Sequence, residues 1–456
     1  MDARTRRLIE APIGATLLRL AAPNVLVMLV QASVGLIETW FVAGLGTDAL
    51  AGMALVFPLL MLVQMISAGA MGGGILSAVA RALGAGRRAD AEALAWHAVA
   101  IAVGLGLATT LAALVLGPSL YAGMGGRDAS LAAATTYGRV VFAGALLVWL
   151  FNSLAAVIRA TGNMALPAVV TCAGAVLLIP LSPALIFGWG PLPRLGIAGG
   201  GAAVVLFYAA GAAVFAAYLW SGRGVLKPSA RPPRLSGPAL GEILRVGVVS
   251  SLVSVTTNAT IAAATALAGA AGPAAVAGYG TGSRLEYLLV PLVFGLGGPL
   301  AAMVGTAIGA GDRARALKVA WTGAALAGLV TEAIGLAAAL HPEAWLRLFG
   351  DDPEMVATGA RYLALVGPFY GFFGVGLALY FASQGAGRVG WALVAGVARV
   401  LVAVGGGVLG DRLAGLDGVF LALGLGLAAM GLGNAAAVAG GAWFRNPRPA
   451  LTEAAR

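Results

Sequence analysis

Long apolar segments, separated by short polar stretches, follow one another along the whole chain. Each is long enough to cross about 30 Å of hydrocarbon as a helix. The ten-residue alternating segments of a membrane barrel are absent from the sequence. The twelve segments lie at approximately 15–43, 49–80, 90–116, 129–156, 163–187, 196–220, 243–270, 274–308, 312–340, 354–384, 388–410 and 416–444. Because backbone groups in lipid must bond within their own segment, the pattern predicts an all-α polytopic membrane protein with twelve transmembrane helices.

The second half of the chain repeats the first. Four short stretches, at 46–52, 84–91, 160–163 and 196–199, recur in the same order at 272–278, 309–316, 385–388 and 415–418. Since each half holds six spans, the halves share one orientation and form parallel repeats, with the site expected between them. The repeat predicts a six-helix lobe over 1–220, a cytoplasmic linker over 221–241, and a second six-helix lobe with a short tail over 242–456.

The charged residues fit a membrane topology. Only 10% of the residues are charged, against about 25% in a soluble domain. The net charge of +10 does not indicate nucleic-acid binding, because Lys and Arg are spread over loops rather than gathered on one stripe. Opposite the termini, the loops carry only Arg127, Arg194, Arg347 and Arg412. The positive-inside rule therefore places both termini and the linker in the cytoplasm of a protein of the inner membrane, surrounded by lipid.

Several kinds of chemistry are excluded by composition. Cys172 is the single cysteine, and His97 and His341 are the two histidines, so neither a disulfide nor a Cys or His metal cluster can form. The glycine runs at 69–74 and 295–298 lack the Lys-Ser/Thr pair and the preceding strand of a phosphate loop. We expect a monomer that is not an enzyme and has no cofactor or metal site, driven by an ion gradient.

Glu38 is the main candidate for function, because it places a carboxyl group well inside the first apolar segment. Burial in a low-dielectric bundle favours the neutral form of such a group, so Glu38 could accept a proton at cellular pH. It could equally be the counter-ion of a cationic substrate, and competition between the two is sufficient for antiport. The structural alternative is a neutral Glu38 that forms a hydrogen bond across helices.

A second set of residues is predicted to line a cavity for organic cations. Gln31 and Asn24 precede Glu38 by about two and four helical turns and lie near the same face. Apolar walls with a few polar groups suit such ligands. The predicted lining residues are Gln31, Asn24, Trp40, Asn152, Thr257 and Tyr370. Helix–helix hydrogen bonding is the alternative for the amides, and a lipid-facing position is the alternative for the aromatic residues.

Glu332, on the ninth segment, is the second acid inside a span. It is predicted to be an accessory ion-coupling residue, or else to pair with Arg361 or Arg399. Pro180 and Pro183 are predicted to bend the fifth segment near its outer end.

Three ordered motifs resemble those of the multidrug and toxic compound extrusion (MATE) family. They are the stretch 34–46 around Glu38, the stretch 81–86 with its counterpart 305–312, and the stretch 158–167. Together with the two repeated halves, the likeness runs from about residue 13 to 444. It implies secondary antiport that exports amphipathic, mostly cationic organic compounds in exchange for protons, with sodium as the alternative ion. A non-transporting receptor or scaffold is disfavoured by the repeat and by Glu38.

The chain departs from the family at several acidic positions. The family usually has aspartate where this chain has Glu38, and protonation there is implicated in coupling. One subgroup adds an asparagine and an aspartate on the fifth span, where this chain has Leu178 and Ser182. Another has acids on the seventh and tenth spans, near Thr257 and Gly374. A sodium ion prefers several oxygen ligands with carboxylates among them, so we favour protons.

Two further expectations follow from the resemblance. Arg284 and Glu286 stand where the family often has Arg and Glu, which implies a structural or gating role. The wider superfamily also contains flippases of lipid-linked precursors, which would need several cations in the cleft to bind pyrophosphate. The unassigned Arg139, Arg284, Arg361 and Arg399 leave that alternative open.

Overall fold

The computed structural model describes residues 2–190, 192–270 and 272–444, and its regular structure there is helical throughout. Nine helices form the first half. They are α1 (Ala3–Glu10), α2 (Ile13–Ala43), α3 (Thr47–Gln64), α4 (Gly72–Gly84), α5 (Arg88–Gly123), α6 (Asp128–Ala143), α7 (Ala145–Ala160), α8 (Ala165–Phe187) and α9 (Ile197–Trp220). A π-helical segment, Met65–Met71, joins α3 to α4.

The second half contributes another nine helices to the described part of the chain. They are α10 (Gly237–Ala270), α11 (Pro273–Gly309), α12 (Arg313–Leu340), α13 (Pro342–Leu346), α14 (Pro353–Val366), α15 (Tyr370–Gly385), α16 (Gly390–Val400), α17 (Gly406–Ala414) and α18 (Leu416–Ala439). A short 3₁₀ segment, Gly367–Phe369, joins α14 to α15, and a π-helical segment, Leu401–Gly405, joins α16 to α17.

Within the described residues, eleven helical segments are long and apolar enough to cross a membrane, and the bent pair α6–α7 makes twelve if it is counted as one span. The twelve-helix prediction is therefore confirmed. The pattern missed the shape of the fourth span, which bends by 45° between α6 and α7. At the bend, a Cβ on Gly144 would lie 2.5 Å from a methyl group of Val205, so a larger residue could not occupy this close approach.

The chain divides into two compact units. Unit 1 comprises the chain up to Ser254 together with Val290–Val319, and unit 2 comprises Val255–Leu289 together with the chain from Ala320 onward. Helices α10, α11 and α12 each contribute to both units. The bounds of these units therefore differ from the predicted lobes, because one end of each of these three helices packs with the first-half helices.

A reciprocal glycine contact in unit 1 shows the internal repeat in three dimensions. Gly84 ends α4 and Gly309 ends α11, and they are equivalent positions of the two halves. A Cβ on Gly84 would lie 2.0 Å from the carbonyl oxygen of Thr306, and a Cβ on Gly309 would lie 2.0 Å from that of Arg81. Helices in lipid associate through such close backbone approach at small residues, because lipid is as apolar as their side chains.

The predicted linker at 221–241 is shorter than expected and is attached to α5. Helix α10 already begins at Gly237. The indole of Trp96 donates to the Ser229 carbonyl at 3.0 Å. The backbone N–H of Ser236 donates to Nε2 of His97 at 3.0 Å, which assigns the ring proton to Nδ1. The linker is thus held along the start of α5 rather than forming a free tether.

Helix α1 precedes the first span and is fixed at both ends. The Asp2 carboxylate caps its N-terminus and accepts bonds from the Thr5 N–H at 3.1 Å and the Thr5 hydroxyl at 2.5 Å. Burial alone would raise the pKa of Asp2, but these hydrogen bonds outweigh it and lower the pKa. At the other end, the Arg315 guanidinium donates to the carbonyls of Leu8 and Ala11. The basic segment at the N-terminus is therefore a docked helix.

Replacing Gly84 with valine should destabilise unit 1 by about 1–3 kcal/mol, because the added side chain overlaps the backbone of α11. The measurement is the melting temperature of the detergent-solubilised protein, followed by size-exclusion chromatography after heating. Gly104→Val is the matched control, since nothing lies within 4 Å of a Cβ at Gly104. Equal melting of the two variants would contradict the reciprocal contact.

Candidate functional site

Glu38 lies in the last third of α2, in unit 1. Its Oε1 atom is buried and has no hydrogen-bond partner among the described residues. Tyr137 on α6 and Tyr208 on α9 are close enough to interact electrostatically with its carboxyl group. A buried carboxyl oxygen without a partner is costly, because it has lost water and gained nothing in exchange. The structural alternative for Glu38 was a hydrogen bond to another helix. Its Oε1 atom forms no such bond among the described residues.

A network of neutral polar side chains lies beside this acid. The Asn152 amide donates to the Gln64 side-chain oxygen at 3.2 Å and to the Ser67 hydroxyl at 2.8 Å. Gln64 also forms a side-chain hydrogen bond with Tyr208, which links the network to the surroundings of Glu38. Asn152 is only 4% exposed, so these bonds join α3, the π-helical segment, α7 and α9 in a dry region. Asn152 therefore acts in a helix–helix network next to the acid.

The other predicted residues of α2 have different surroundings. Asn24 is buried and donates to the carbonyl of Gly295 at 3.3 Å, as a residue that joins two helices does. Gln31 is half-buried, and Trp40 is 72% exposed with its ring edge toward Phe41. Asn24 therefore forms the helix–helix hydrogen bond that was the alternative to a cavity position. A role for Gln31 and Trp40 in a cavity stays a prediction.

Helix α8 contains both predicted proline positions. Pro180 and Pro183 lie inside one helix that is assigned as α throughout its length. Each removes an N–H and so leaves a carbonyl of the preceding turn without its usual donor. Next to them, the hydroxyl of Ser182 is buried with no partner in the described residues. A gating role for these prolines remains a prediction.

In unit 2, Glu332 has a backbone partner. Its carboxylate accepts a hydrogen bond from the N–H of Gly371 at 2.6 Å, in the first turn of α15. This N–H is one of the four that a helix N-terminus leaves unpaired. Arg361, offered above as a partner for Glu332, instead pairs with Asp417 at 2.6 Å. The geometry therefore favours a structural role for Glu332, at the point where the tenth span is broken.

The tenth-span position that is acidic in one subgroup cannot accept a side chain in this geometry. A Cβ on Gly374 would lie 2.3 Å from the Thr331 hydroxyl and 2.6 Å from the Ala327 carbonyl. Helix α15 thus approaches α12 closely where relatives place a carboxylate. Thr257, the corresponding seventh-span position, is half-buried on α10.

Unit 2 nevertheless contains a half-buried acid, Glu286 on α11. Its carboxylate accepts a short hydrogen bond from the hydroxyl of Tyr362 on α14. Glu286, Tyr362, Tyr279 and Arg399 line one cavity. Arg284, two residues earlier, lies with its guanidinium 5.3 Å from the ring centre of Phe349. Arg284 and Glu286 thus have different neighbours: Arg284 lies against Phe349, and Glu286 bonds to Tyr362.

Sequence reasoning missed three of the tyrosines around the two acids. Tyr137, Tyr208 and Tyr362 lie in apolar segments far along the chain from the acid that they approach. Their positions give no short-range spacing signal, since each lies on a different helix from its acid. A tyrosine within a span was the one available signal, because its hydroxyl needs a partner when buried.

Predicted site residues occur in both units. Glu38, Asn24, Gln31, Trp40 and Asn152 belong to unit 1, whereas Thr257, Tyr370, Glu286 and Glu332 belong to unit 2. Within residues 2–190, 192–270 and 272–444, there is no group of three or more His, Cys, Asp or Glu side chains that could hold a metal ion.

Repeated helical halves and acids within the spans define a multi-pass membrane transporter. The chain belongs to the MATE family, because the family model described as MatE matches residues 23–184 and 250–409. The matched stretches fall one in each half, as the internal repeat predicts. The resemblance seen in the sequence is therefore confirmed, as is the expectation of a transporter rather than an enzyme.

Known proteins resemble the chain over most of its length. The FAD transporter of Shewanella oneidensis is 27% identical over 421 residues, covering 91% of this chain and 92% of the relative. The probable multidrug resistance protein NorM of Deinococcus radiodurans is 30% identical over 368 residues, covering 77% and 78%. A MOP superfamily transporter from Pyrococcus furiosus superposes with a TM-score of 0.87 at 23% identity, covering 98% of this chain and 100% of the other. The last likeness establishes the fold.

Removing the Asn152 amide should lower the stability of unit 1 by about 1–3 kcal/mol, because Gln64 and Ser67 would lose a buried donor. The measurement is the melting temperature of Asn152→Ala in detergent. Ser153→Ala on the same helix is the control, since the buried Ser153 hydroxyl has no partner among the described residues. A network of no consequence would leave the two variants with equal melting temperatures.

Proposed function

We propose that this chain exports amphipathic, mostly cationic organic compounds in exchange for protons, with Glu38 as the main coupling residue. The observation that carries the proposal is the buried Glu38 Oε1 atom, which has no partner among the described residues. Either a proton or a cationic ligand would relieve the cost of that carboxylate. Because both would use the same group, binding of one favours release of the other, and this reciprocity is antiport.

The surroundings of Glu38 support both ligands. The rings of Tyr137 and Tyr208 could present their faces to an organic cation. Their hydroxyl groups could form hydrogen bonds with the protonated acid or with an intervening water. The relative from Deinococcus radiodurans is named a probable multidrug resistance protein, and the one from Staphylococcus aureus is named a multidrug export protein. Their names support drug-like organic compounds as the substrate class.

Protons are favoured over sodium because this chain has no carboxylate at the positions where family subgroups have additional acids. Ser182, Thr257 and Gly374 supply no carboxylate, and the approach of α12 to Gly374 leaves no room for one. A hard cation would have to rely on hydroxyl and carbonyl oxygens alone. Glu332 is the weaker coupling candidate, because the Gly371 N–H already engages its carboxylate.

The proposed setting is the cytoplasmic membrane, with a monomer that has both termini in the cytoplasm. The basic residues concentrated on the side of the termini support this orientation. Protons would then move inward as the organic compound moves out.

Transport of FAD is a second candidate, favoured by the Shewanella oneidensis relative of that name, which matches 91% of this chain. FAD is an anion through its pyrophosphate, and a site for it needs cationic donors. The flippase alternative has the same need. Arg361 is paired with Asp417, Arg284 lies against Phe349 and Arg139 is exposed, which leaves Arg399 as the buried arginine to consider. A single such residue supports the cation exporter better.

Glu38→Gln should abolish transport driven by a pH gradient, because glutamine matches the shape of the protonated acid but cannot release a proton. The measurement is gradient-driven movement of a fluorescent organic cation in proteoliposomes of the purified chain. Glu343→Gln serves as the matched control and should retain transport, since Glu343 is an exposed acid outside the proposed site.

Three outcomes would overturn parts of the proposal. Normal transport by Glu38→Gln would remove Glu38 as the coupling residue. Transport of the dye by a sodium gradient alone would replace the proton. Movement of FAD without movement of the cation would replace the substrate class.

A further inference from the structure

A buried polar cluster fills part of the interior of unit 2, away from any residue used above for coupling. The hydroxyl of Tyr362 on α14 donates to the carboxylate of Glu286 on α11. The ring of Tyr279 lies edge-on to that of Tyr362, with ring centres 5.3 Å apart. Thr260 on α10 adds a buried hydroxyl to the same lining. The acid is thus enclosed by hydroxyl and aromatic groups from three helices.

Arg399 on α16 is the second charged group of this cluster. The residue is 6% exposed, and its Nε atom has no hydrogen-bond partner among the described residues. Its terminal nitrogen lies 3.9 Å from the sulfur of Met430, which is a weak acceptor. Within the described chain, no carboxylate lies within 4 Å of this guanidinium. A buried arginine N–H without a protein acceptor is costly to maintain, so this guanidinium favours an acceptor close by.

A small cavity of about 20 Å³ brings these groups onto one surface. Glu286, Tyr362, Tyr279 and Arg399 line it together, and apolar side chains including Leu427 complete the wall. The space is large enough for a water molecule, and the lining offers the polar partners that a buried water needs. The carboxyl group therefore has a place beside it for a water that could accept its proton, and an opposing charge nearby.

One more titratable group faces this region. Tyr370 on α15 is fully buried, and its hydroxyl has no hydrogen-bond partner among the described residues. It interacts electrostatically with Glu286. The titratable and charged groups that face the acid are therefore Tyr279 from its own helix, Tyr362, Tyr370 and Arg399. α18 contributes only apolar residues and a thioether to the described lining.

We propose that Glu286 is a second proton-binding carboxyl group of the transporter and that Arg399 is its positioning partner, which pairs with it once the proton has left. This proposal rests on the proposed function, because it assumes that a proton gradient drives transport. In the step, the Glu286 O–H bond breaks and the proton passes to a water molecule in the cavity, leaving a carboxylate and a hydronium ion. The carboxylate then attracts the Arg399 guanidinium, whose free N–H gains an acceptor.

The consequence is one proton-binding acid in each unit. Glu38 belongs to unit 1 and Glu286 to unit 2. Pairing of Glu286 with Arg399 would bring together two side chains, on α11 and α16, that line one cavity. Loss of the proton would therefore be coupled to a rearrangement of these two side chains within unit 2. Transport of one substrate molecule would require two protons, one at each site.

Infrared difference spectroscopy on the purified full-length protein tests the site without depending on transport. At a pH where the exposed carboxyl groups are already ionised, wild type should keep two bands of protonated carboxyl groups, and both should disappear at alkaline pH. Glu286→Gln should remove one band and Glu38→Gln the other. A full set of bands in Glu286→Gln would overturn the proposal. If Glu286→Gln does not fold, Tyr362→Phe should shift the Glu286 band, because the variant removes the hydrogen-bond donor to that carboxyl group. An unshifted band would also overturn the proposal.

The role of Arg399 has its own test. In Arg399→Gln the positive charge that favours the carboxylate is gone, so the Glu286 band should persist to more alkaline pH. Arg399→Lys should restore most of the wild-type titration. Identical titration of wild type and Arg399→Gln would show that the arginine only packs.

Transport assays separate this proposal from the proposed function. Glu286→Gln should lose uptake driven by a pH gradient yet retain exchange of substrate for substrate, which needs no net proton movement. Full gradient-driven uptake by this variant would overturn the second site. A titrating Glu286 band in a protein driven only by sodium would overturn the proposed proton coupling, but not the proton-binding site itself.

Discussion

Close backbone approach at small residues is the constraint on which the rest of this structure depends. In lipid, burying an apolar face against another helix replaces one apolar neighbour by another, so it provides little net attraction. The reciprocal contact of Gly84 with α11 and of Gly309 with α4 is possible only because neither residue has a Cβ. It gives dispersion contact over a long helix crossing. It also explains why one end of α11 belongs to unit 1.

The same medium divides the polar side chains within the spans into two groups. Asn152 and Glu332 satisfy their polar atoms through a side chain or a backbone N–H, and so they hold helices in place. Glu38 and Arg399 have buried polar atoms without partners among the described residues. Native structures satisfy the great majority of buried polar atoms, so an ionisable group among the exceptions, unlike the hydroxyl of Ser153, is a candidate for a partner that comes and goes. Function is therefore inferred from the exceptions rather than from polarity as such.

The sequence predicted the parts of the fold that depend on long-range patterns. Span number, the repeat and the family follow from hydropathy and from motifs such as the one around Glu38. The bend at Gly144 was not predicted, because glycine is too common here for one of them to mark a break. The start of α10 at Gly237 was also missed, since a proline follows it and the region is polar. Tyr137 and Tyr208, which lie close enough to interact electrostatically with Glu38, come from two distant helices that no local period connects.

The family's acidic positions show why the site could not be transferred by alignment alone. At Gly374 the backbone of α12 is so close that any carboxylate would force α15 away from it. The missing acid and the close helix packing are thus one structural adaptation. Unit 2 instead carries a half-buried acid on α11, Glu286, where Tyr362 supplies a donor and a small cavity lies alongside. The glycine at position 374 alone would suggest that the second half has no ionisable site. The geometry instead points to a carboxyl group on another helix, that of Glu286 on α11.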